Sequence, residues 1–503
     1  MRTPRFVLFM KSNPLPAELL IGCALGIILG ILLQRLSPLM MLGGLIVAAL
    51  SYAAFKRPEL ALIGILIATS SIVFENQIPT ISLGLSIHLS DILLLVPLGL
   101  IVVRGLVEKD FRGMQTPLDW PLIIFLGITI LSTLIAVFQS AVEAELARRS
   151  IRVFAYYLTF FAVTHLVRER RQLNLLLTGI LLIAIVVAGA MVLQFALGSS
   201  VQLVPGRVEA LVTQDSLYED ITRILPPGWS TVMITFVVIL CLVVLEKSEL
   251  LKWAYLLLVI LFGLALVLTF LRSYWAALIA VGALLVYLFK GRERANFAGA
   301  MLMILFFGSV AALVVFIDPD SRAARLVYAS MDRLGTLGDA ETFQGQDSSL
   351  NWRVIENEYA YVAIAEHPLI GLGMGTPYRP LDSRLDYRTA DGTMTDGSSF
   401  IHNGHLRIML QSGIVGYLSL AWLSGLFLSR GFKFWRNLTD DRMKAVVLGL
   451  LLVYLAIIIA AVANSTFMQW RWTPLLGMMF GVNEVIYRLY LPICAPFAAD
   501  RAS

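Results

Sequence analysis

The sequence predicts an all-α fold: a polytopic integral membrane helical bundle of about 12–14 transmembrane helices, with one large outer loop containing an amphipathic helix. Three observations predict it. Of 503 residues, 58% are hydrophobic and only 15% charged, and the mean hydropathy is +0.81; a soluble core does not use that much apolar residue. Apolar runs of about 16–25 residues recur along nearly the whole chain, the length that crosses a hydrocarbon layer roughly 30 Å thick as a helix. Lysines, finally, are confined to alternate loops between these runs.

The runs lie near 16–33, 37–55, 58–74, 88–104, 118–138, 152–167, 173–197, 229–245, 252–269, 273–289, 296–317, 404–429, 445–463 and 472–489. They divide the chain into 1–317, with about eleven transmembrane helices, an outer loop over 318–401, and 402–503, with about three more helices and a tail. The N-terminus has a basic start and an apolar stretch without a small-residue cleavage site, which reads as an uncleaved first helix.

Orientation follows from the basic residues. With the N-terminus inside, the loops "FKRPE", "RGLVEKDFR", "VRERRQ", "EKSELLK", "KGRERAN" and "SRGFKFWRNLTDDRMK" are all cytoplasmic, as are both termini. All eight lysines then fall inside, and the sixteen basic residues left outside are all arginines. Selection against positive charge on the outer face should remove both residue types. Survival of arginine alone points to what a guanidinium does, rigid two-pronged binding of phosphate or carboxylate; drift among loop residues is the plainer alternative. Cys23 and Cys241 lie in spans and Cys494 in the inner tail, so no disulfide is expected.

Two outer segments are long. The first, about 198–228, is Pro/Gly-rich at its ends, with Arg207 and Arg223 among acidic residues. The second, 318–401, far exceeds ordinary loop length. Within it, Trp352, Ile355, Tyr359 and Val362 follow 3–4–3 spacing, the apolar stripe of an amphipathic helix lying on the membrane or over a cavity mouth. Ser348 or Ser349 can cap its start, and "HPLIGLGMG" stops it. "DGTMTDG" lacks the acidic spacing and closing glutamate of a calcium loop and reads as a solvated turn.

At "SSFIHNGHLRIMLQSGIVGYLSL" (398–420) a polar loop becomes an apolar helix within a few residues, and His402, Asn403 and His405 stand at the boundary. This stretch, "NWRVIENEYAYVAIAEHPLIGLGMG" before it, and the many-span layout with one large late loop resemble the O-antigen ligase and polymerase superfamily of membrane glycosyltransferases. The pattern is an arginine–aromatic helix, His-Pro-Leu-x-Gly-x-Gly, His-Asn-x-aromatic-Leu, then Gly-x-x-Gly. It is densest from about 349 to 420, with weaker support from "HLSDILLL" (88–95) and "TFLRSYWAALIA" (269–280). His405 departs from it, standing where the family has an aromatic, and fourteen spans exceed the family's usual twelve or so.

The resemblance implies transfer of a glycan from a polyprenyl (undecaprenyl) diphosphate carrier to an acceptor hydroxyl on the outer side of a bacterial inner membrane, without metal or other cofactor. A ligase would use a lipid A-core or protein acceptor; a polymerase would use another lipid-linked glycan. Membrane lipid is the remaining partner, and nothing suggests nucleic acid. The chemistry needs charge stabilisation on a departing diphosphate, which arginines provide, and removal of a proton from the incoming hydroxyl, for which histidine is suited. By resemblance Arg272 and Arg353 grip the diphosphate and His402 is the general base, with Asn403, His405, Arg148, Arg152, Arg207 and Arg471 as further substrate contacts.

Each assignment has a plainer alternative. His402 or Asn403 can simply satisfy free N–H groups at a helix start. His405 can be a packed interface residue. Arg272, Arg148 and Arg152 can sit among lipid headgroups, and Arg471, in "MQWRWTP", can belong to an aromatic belt. Asp91 reads as a structural partner for one outer arginine. A small-anion (bicarbonate-type) transporter is the rival from another class. Transporters place ionisable residues near the bilayer centre; here the charges gather at the outer mouth and the span centres are almost free of them.

Overall fold

A computed structural model describes residues 56–69, 81–82, 86–87, 89–107, 115–198, 201–210, 221–313, 317–319, 321–335, 348–384 and 397–492. Within them the fold is an all-α polytopic bundle. Its helices are α1 (Pro58–Thr69), α2 (Leu89–Val107), α3 (Asp119–Phe138), α4 (Ala144–Ala155), α5 (Thr159–Leu166), α6 (Arg170–Leu197), α7 (Trp229–Leu245), α8 (Glu249–Val267), α9 (Arg272–Leu288) and α10 (Arg292–Ala312). After them come α11 (Arg322–Gly335), α12 (Ser348–Glu366), α13 (Gly404–Phe434), α14 (Asp441–Ala460) and α15 (Thr473–Tyr490). By length and composition α3, α6, α8, α14 and α13 with its extension to Asn437 can each cross a membrane, and α1, α7 and α9 are shorter apolar helices.

Apart from 152–167, the apolar runs from 58 onward hold a helix close to the expected ends, the end of 58–74 lying outside the described residues. The runs near 16–33 and 37–55, with the uncleaved first helix, lie outside the described residues, as does most of "DGTMTDG". One run is broken: 152–167 contains the end of α4, a 3-10 turn at Tyr156–Leu158 and the eight-residue α5. The tightened turn serves Tyr157, which is fully buried, donates its hydroxyl to the Phe467 carbonyl at 2.9 Å and packs edge-on against Phe125 and Phe154. Two small antiparallel hairpins also occur, β1 (Ile81–Ser82) with β2 (Ser86–Ile87) and β3 (Arg207–Ala210) with β4 (Thr222–Leu225).

Helices surrounded by lipid gain little from excluding water, so close packing holds them together. The centre is α14, buried on nearly every face from Ala445 to Ile457. Its Gly449 lies so near α7 that an added Cβ would stand 2.6 Å from the Val238 Cα. Phe427, Tyr454 and Phe480 form a mutual edge-to-face cluster joining α13, α14 and α15.

A break in α13 shapes the rest. Gly413 has φ 63° and ψ −169° inside the helix, a conformation that L side chains rarely adopt. The break frees the N–H groups of Ile414 and Val415 and the carbonyls of Leu410 and Gln411, the pairs that regular i→i−4 bonding would join. The chain after α12 repairs all four. Ile414 and Val415 donate to the carbonyls of Pro368 and Leu369 at 2.8 and 3.3 Å, and the Leu410 and Gln411 carbonyls accept from Leu372 and Gly373 at 2.7 and 3.2 Å. Apolar surroundings punish any unpaired backbone group, so such a break persists only where a loop fills it. "HPLIGLGMG" is therefore an insert. Gly371 at φ 72° presses on α13, where a Cβ would meet the Leu410 carbonyl, and Met374 N–H donates to Thr133 of α3 at 3.1 Å.

Candidate active site

The polar turn before α13 is built by caps. Asn403 is the N-cap, its side chain accepting from the N–H groups of His405 and Leu406 at 3.1 Å each. Gly404 N–H donates to the Ala461 carbonyl at 2.7 Å, and a side chain there would strike the Asn464 carbonyl. His405 turns inward. Its Nε2 lies 3.0 Å from the Ile458 carbonyl, its Nδ1 3.4 Å from the Tyr417 hydroxyl, and its ring packs edge-on against Phe467. Both nitrogens are therefore engaged by protein, and an aromatic ring at this place in the pattern serves the same packing.

His402 faces the other way. Its side chain is 37% exposed, while Nδ1 lies 2.9 Å from Oε2 of Glu356 on α12, a carboxylate with no exposed surface. The same Oε2 accepts the His402 backbone N–H at 2.9 Å. Phe400 packs perpendicular to the imidazole with ring centroids 4.9 Å apart. Beside Glu356, the Arg379 guanidinium lies 3.9 Å away, donates to the Gly397 carbonyl and stacks near Trp352. Trp352, Ile355 and Tyr359 pack together as their spacing predicts, but Val362 is 60% exposed; Ala360 and Ala363 face α13 instead. Small residues there let α12 lie close to α13.

The segment 461–472 between α14 and α15 gathers the remaining pieces. Arg353 Nε donates to the Ala463 carbonyl at 3.3 Å, and Arg407 of α13 donates to Ser465 at 3.0 Å. At the start of α9, Ser273 accepts from Asn464 at 2.6 Å and the Tyr274 hydroxyl pairs with Thr466 at 2.9 Å, which sets Arg272 beside the same segment. Phe270, with φ 51°, makes the sharp entry that lets α9 begin there. Arg471 belongs to the segment itself; its carbonyl accepts from the Ser230 hydroxyl at 3.0 Å, and the next residue, Trp472, packs with Trp229 and Tyr274. The Arg471 Nε is buried with no hydrogen-bond partner among the described residues, and burial lowers its pKa from the ordinary arginine value.

The other arginines stand further off. Arg152 pairs with Asp91, the partner expected for an outer arginine, and the neighbouring Val153 carbonyl accepts from Thr473 at 2.7 Å, bringing this stretch alongside Arg471. Arg148 is occupied by Glu145 at 2.7 Å; hydrogen bonds from Arg148 and Arg149 hold the Glu145 carboxyl down at about 2. Arg207 is exposed on β3, whose partner β4 docks beside α9: Ile224 N–H donates to the Leu268 carbonyl, and Arg223 to that of Thr269. Beyond the site, Asp382 receives Arg384 and Tyr359; the arginine's hydrogen bonds hold its carboxyl well below the usual range.

Arg353 and the start of α9 thus bond to one segment that also carries Arg471, and the turn holding His402 joins it through Gly404 N–H to the Ala461 carbonyl, while Arg148 pairs with Glu145 and Arg207 lies on β3. Sequence reasoning passed over Glu356, Arg379 and Arg407. Glu356 had one signal, a lone carboxylate on the apolar stripe one turn after Arg353. Among the described residues no group of three or more His, Cys, Asp or Glu side chains is placed to hold a metal ion.

A comparison with curated proteins finds no match. Residues 256–421, from within α8 to the middle of α13 and including both the loop insert and the His402 turn, match the family model described as O-antigen ligase (Wzy_C), a match that supports placing the chain with the O-antigen ligase superfamily.

Proposed function

We propose that this multi-pass membrane protein is an O-antigen ligase-like glycosyltransferase of surface polysaccharide or lipopolysaccharide biosynthesis, moving a glycan from a polyprenyl diphosphate carrier to an acceptor hydroxyl. The observation that supports the reading is that segment 461–472, which carries Arg471, bonds to Arg353, to the start of α9 next to Arg272, and through Gly404 to the turn that bears the partly exposed His402. Such a constellation suits an anionic leaving group beside a proton acceptor. The acceptor oxygen attacks the anomeric carbon, its proton passes to the outward nitrogen of His402, and the bond to the diphosphate breaks with its electron pair leaving on phosphate. Arg272, Arg353 and Arg471 meet that charge with fixed donors, so the leaving group departs unprotonated. The reaction runs on the outer face of the inner membrane with 318–401 outside and both termini cytoplasmic, and it needs no metal. A polymerase using a lipid-linked acceptor is the closest alternative, since the two differ only in what brings the hydroxyl.

The test uses purified protein and a polyprenyl diphosphate glycan. His402→Ala should leave donor binding nearly intact while turnover falls roughly 10²–10⁴-fold, the scale of positioned proton transfer. Arg272→Lys and Arg353→Lys keep charge but lose the two-pronged contact, and should still impair transfer severely. Near-normal transfer by His402→Ala would withdraw the base assignment. Excess chelator should leave activity unchanged; loss restored by magnesium or manganese would contradict a metal-free reaction. For topology, an impermeant thiol reagent should label Ser383→Cys and spare Asn437→Cys, and the reverse pattern would put the site in the cytoplasm.

A further inference from the structure

A neutral imidazole carries its proton on one nitrogen and accepts on the other, so a histidine base works only if the accepting nitrogen is the one facing substrate. Left to itself, His402 would exchange between the two forms. The buried side of its ring is controlled by a single group. Glu356 Oε2 takes the backbone N–H and Nδ1 of His402, both at 2.9 Å, with Oε1 3.1 Å from Nδ1. An ionised carboxylate only accepts, so Nδ1 must donate. Nε2 then keeps its lone pair on the exposed side, where it has no hydrogen bond to any described residue.

Glu356 is an odd choice for its place in α12. It lies on the face that packs toward α13, among Ile355, Ala360 and Ala363, with no accessible surface. A carboxylate in such a position costs several kcal/mol unless it is paired and hydrogen-bonded. The groups facing it are cations or donors. Arg353 stands one turn earlier on α12, Arg379 approaches from the stretch after the loop insert, and α13 contributes Arg407, whose charge interacts with it. Arg379, held by the Gly397 carbonyl and the Trp352 ring, supplies counter-charge 3.9 Å from Oε1. A helix cap alone would not need this arrangement, because Asn403 already caps α13.

We propose that Glu356 is the positioning residue for His402: it fixes the imidazole proton on Nδ1 and the ring's orientation, leaving Nε2 as proton acceptor at the open mouth. The inference rests on the reading of His402 as base. It adds that this base is half of a carboxylate–histidine pair spanning 46 residues, with Arg379 completing it.

The experiment is ¹⁵N NMR of the full-length protein labelled at histidine, with His402 assigned by the signal lost in His402→Gln, alongside transfer kinetics. Wild type should show the Nδ1–H tautomer at His402. Glu356→Gln, nearly the same shape, should lose that preference and drop turnover about 10²–10⁴-fold with donor KM nearly unchanged, the scale seen when a carboxylate that sets a histidine tautomer becomes an amide. Glu356→Asp, which keeps the acceptor-only group, should restore the tautomer and part of the turnover. An Nε2–H tautomer in the wild type overturns the proposal, whether or not any variant folds. So does a Glu356→Gln protein with turnover within about twofold of wild type. The two readings fail separately: if His402→Ala transfers normally the base assignment is lost, whereas if only Glu356→Gln is harmless the base stands and the pair does not.

Discussion

Helices α13 and α15 run side by side, and their two ends treat positive charge in opposite ways. At the far end Arg430 grips Glu484 in two parallel hydrogen bonds of 3.0 and 2.8 Å, with side chains only 18% and 6% exposed. At the His402 end, no carboxylate of the described residues lies within 4.0 Å of Arg407 or Arg471, and the Nε of each is buried without a partner. Arg407 has a serine hydroxyl, the face of Phe400 and the more distant charge of Glu356; Arg471 has Tyr274 nearby and no carboxylate among the described residues. A charge neutralised in place stabilises structure. A charge held by neutral groups keeps its field for something that arrives later. One end of the helix pair is closed by its own ion pair; the other is the end at which the proposed function would place an anion.

If that distinction holds, substitutions should separate the ends, and the largest effect should come from the break between them. Gly413→Ala places a Cβ against the Leu369 carbonyl at a φ of 63°, so little monodisperse protein should survive size-exclusion chromatography. Gly425→Ala, with open space around it in the same helix, should behave as wild type. Next comes Arg430→Ala, which leaves Glu484 buried and unpaired and should cost about 3–5 kcal/mol. It should appear as a large fall in thermal midpoint, with specific activity of the surviving protein little changed. The double replacement Arg430→Met with Glu484→Met should recover most of that stability.

Arg471→Gln should do the reverse. It orphans no carboxylate, so the thermal midpoint should hold or rise while donor affinity falls about 10–100-fold, the worth of one charge-assisted contact. Equal destabilisation by Arg430→Ala and Arg471→Gln would erase the contrast. The smallest effect belongs to the exposed Glu145, whose carboxyl is held at about 2 against an ordinary 4.5. A depressed carboxyl contributes stability that is present above pH 4.5 and lost as pH falls toward 2. Arg148→Gln should therefore narrow the difference in stability between pH 6 and pH 3 slightly, and screening by solvent keeps the change small.

Run length located the long apolar helices, because lipid imposes the same demand on every span, and residue spacing located α12; α11 lies in no apolar run and went unread. Of the arginines singled out, Arg353 bonds to the segment that carries Arg471, as do the residues after Arg272. What stayed hidden was long-range or main-chain. Glu356 meets His402 across 46 residues and Arg353 meets Ala463 across 110, and no local period announces such pairs. Segment 461–472 read as a short connection, yet five separate parts of the chain bond to it, at Tyr157, at Ser230, at Ser273 with Tyr274, at Arg353, and at Gly404 with Arg407. The hairpin of β3 and β4 was missed because its strands are four residues each, below the reach of an alternation pattern.

The spliced helix has a consequence for how such an enzyme can change. The four hydrogen bonds that join the insert to α13 run between peptide groups, and only the glycines at the joint are asked for by name. The height and tilt of the His402 turn are thus set by backbone geometry, indifferent to most of the side chains around it. Under the proposed function, neighbouring positions could be rewritten for a different sugar or acceptor while His402 keeps its place. A variable specificity would then grow around a fixed hinge pin, and the place to look for divergence among similar chains is the exposed rim at Tyr361, Leu381 and Phe400 rather than the joint itself.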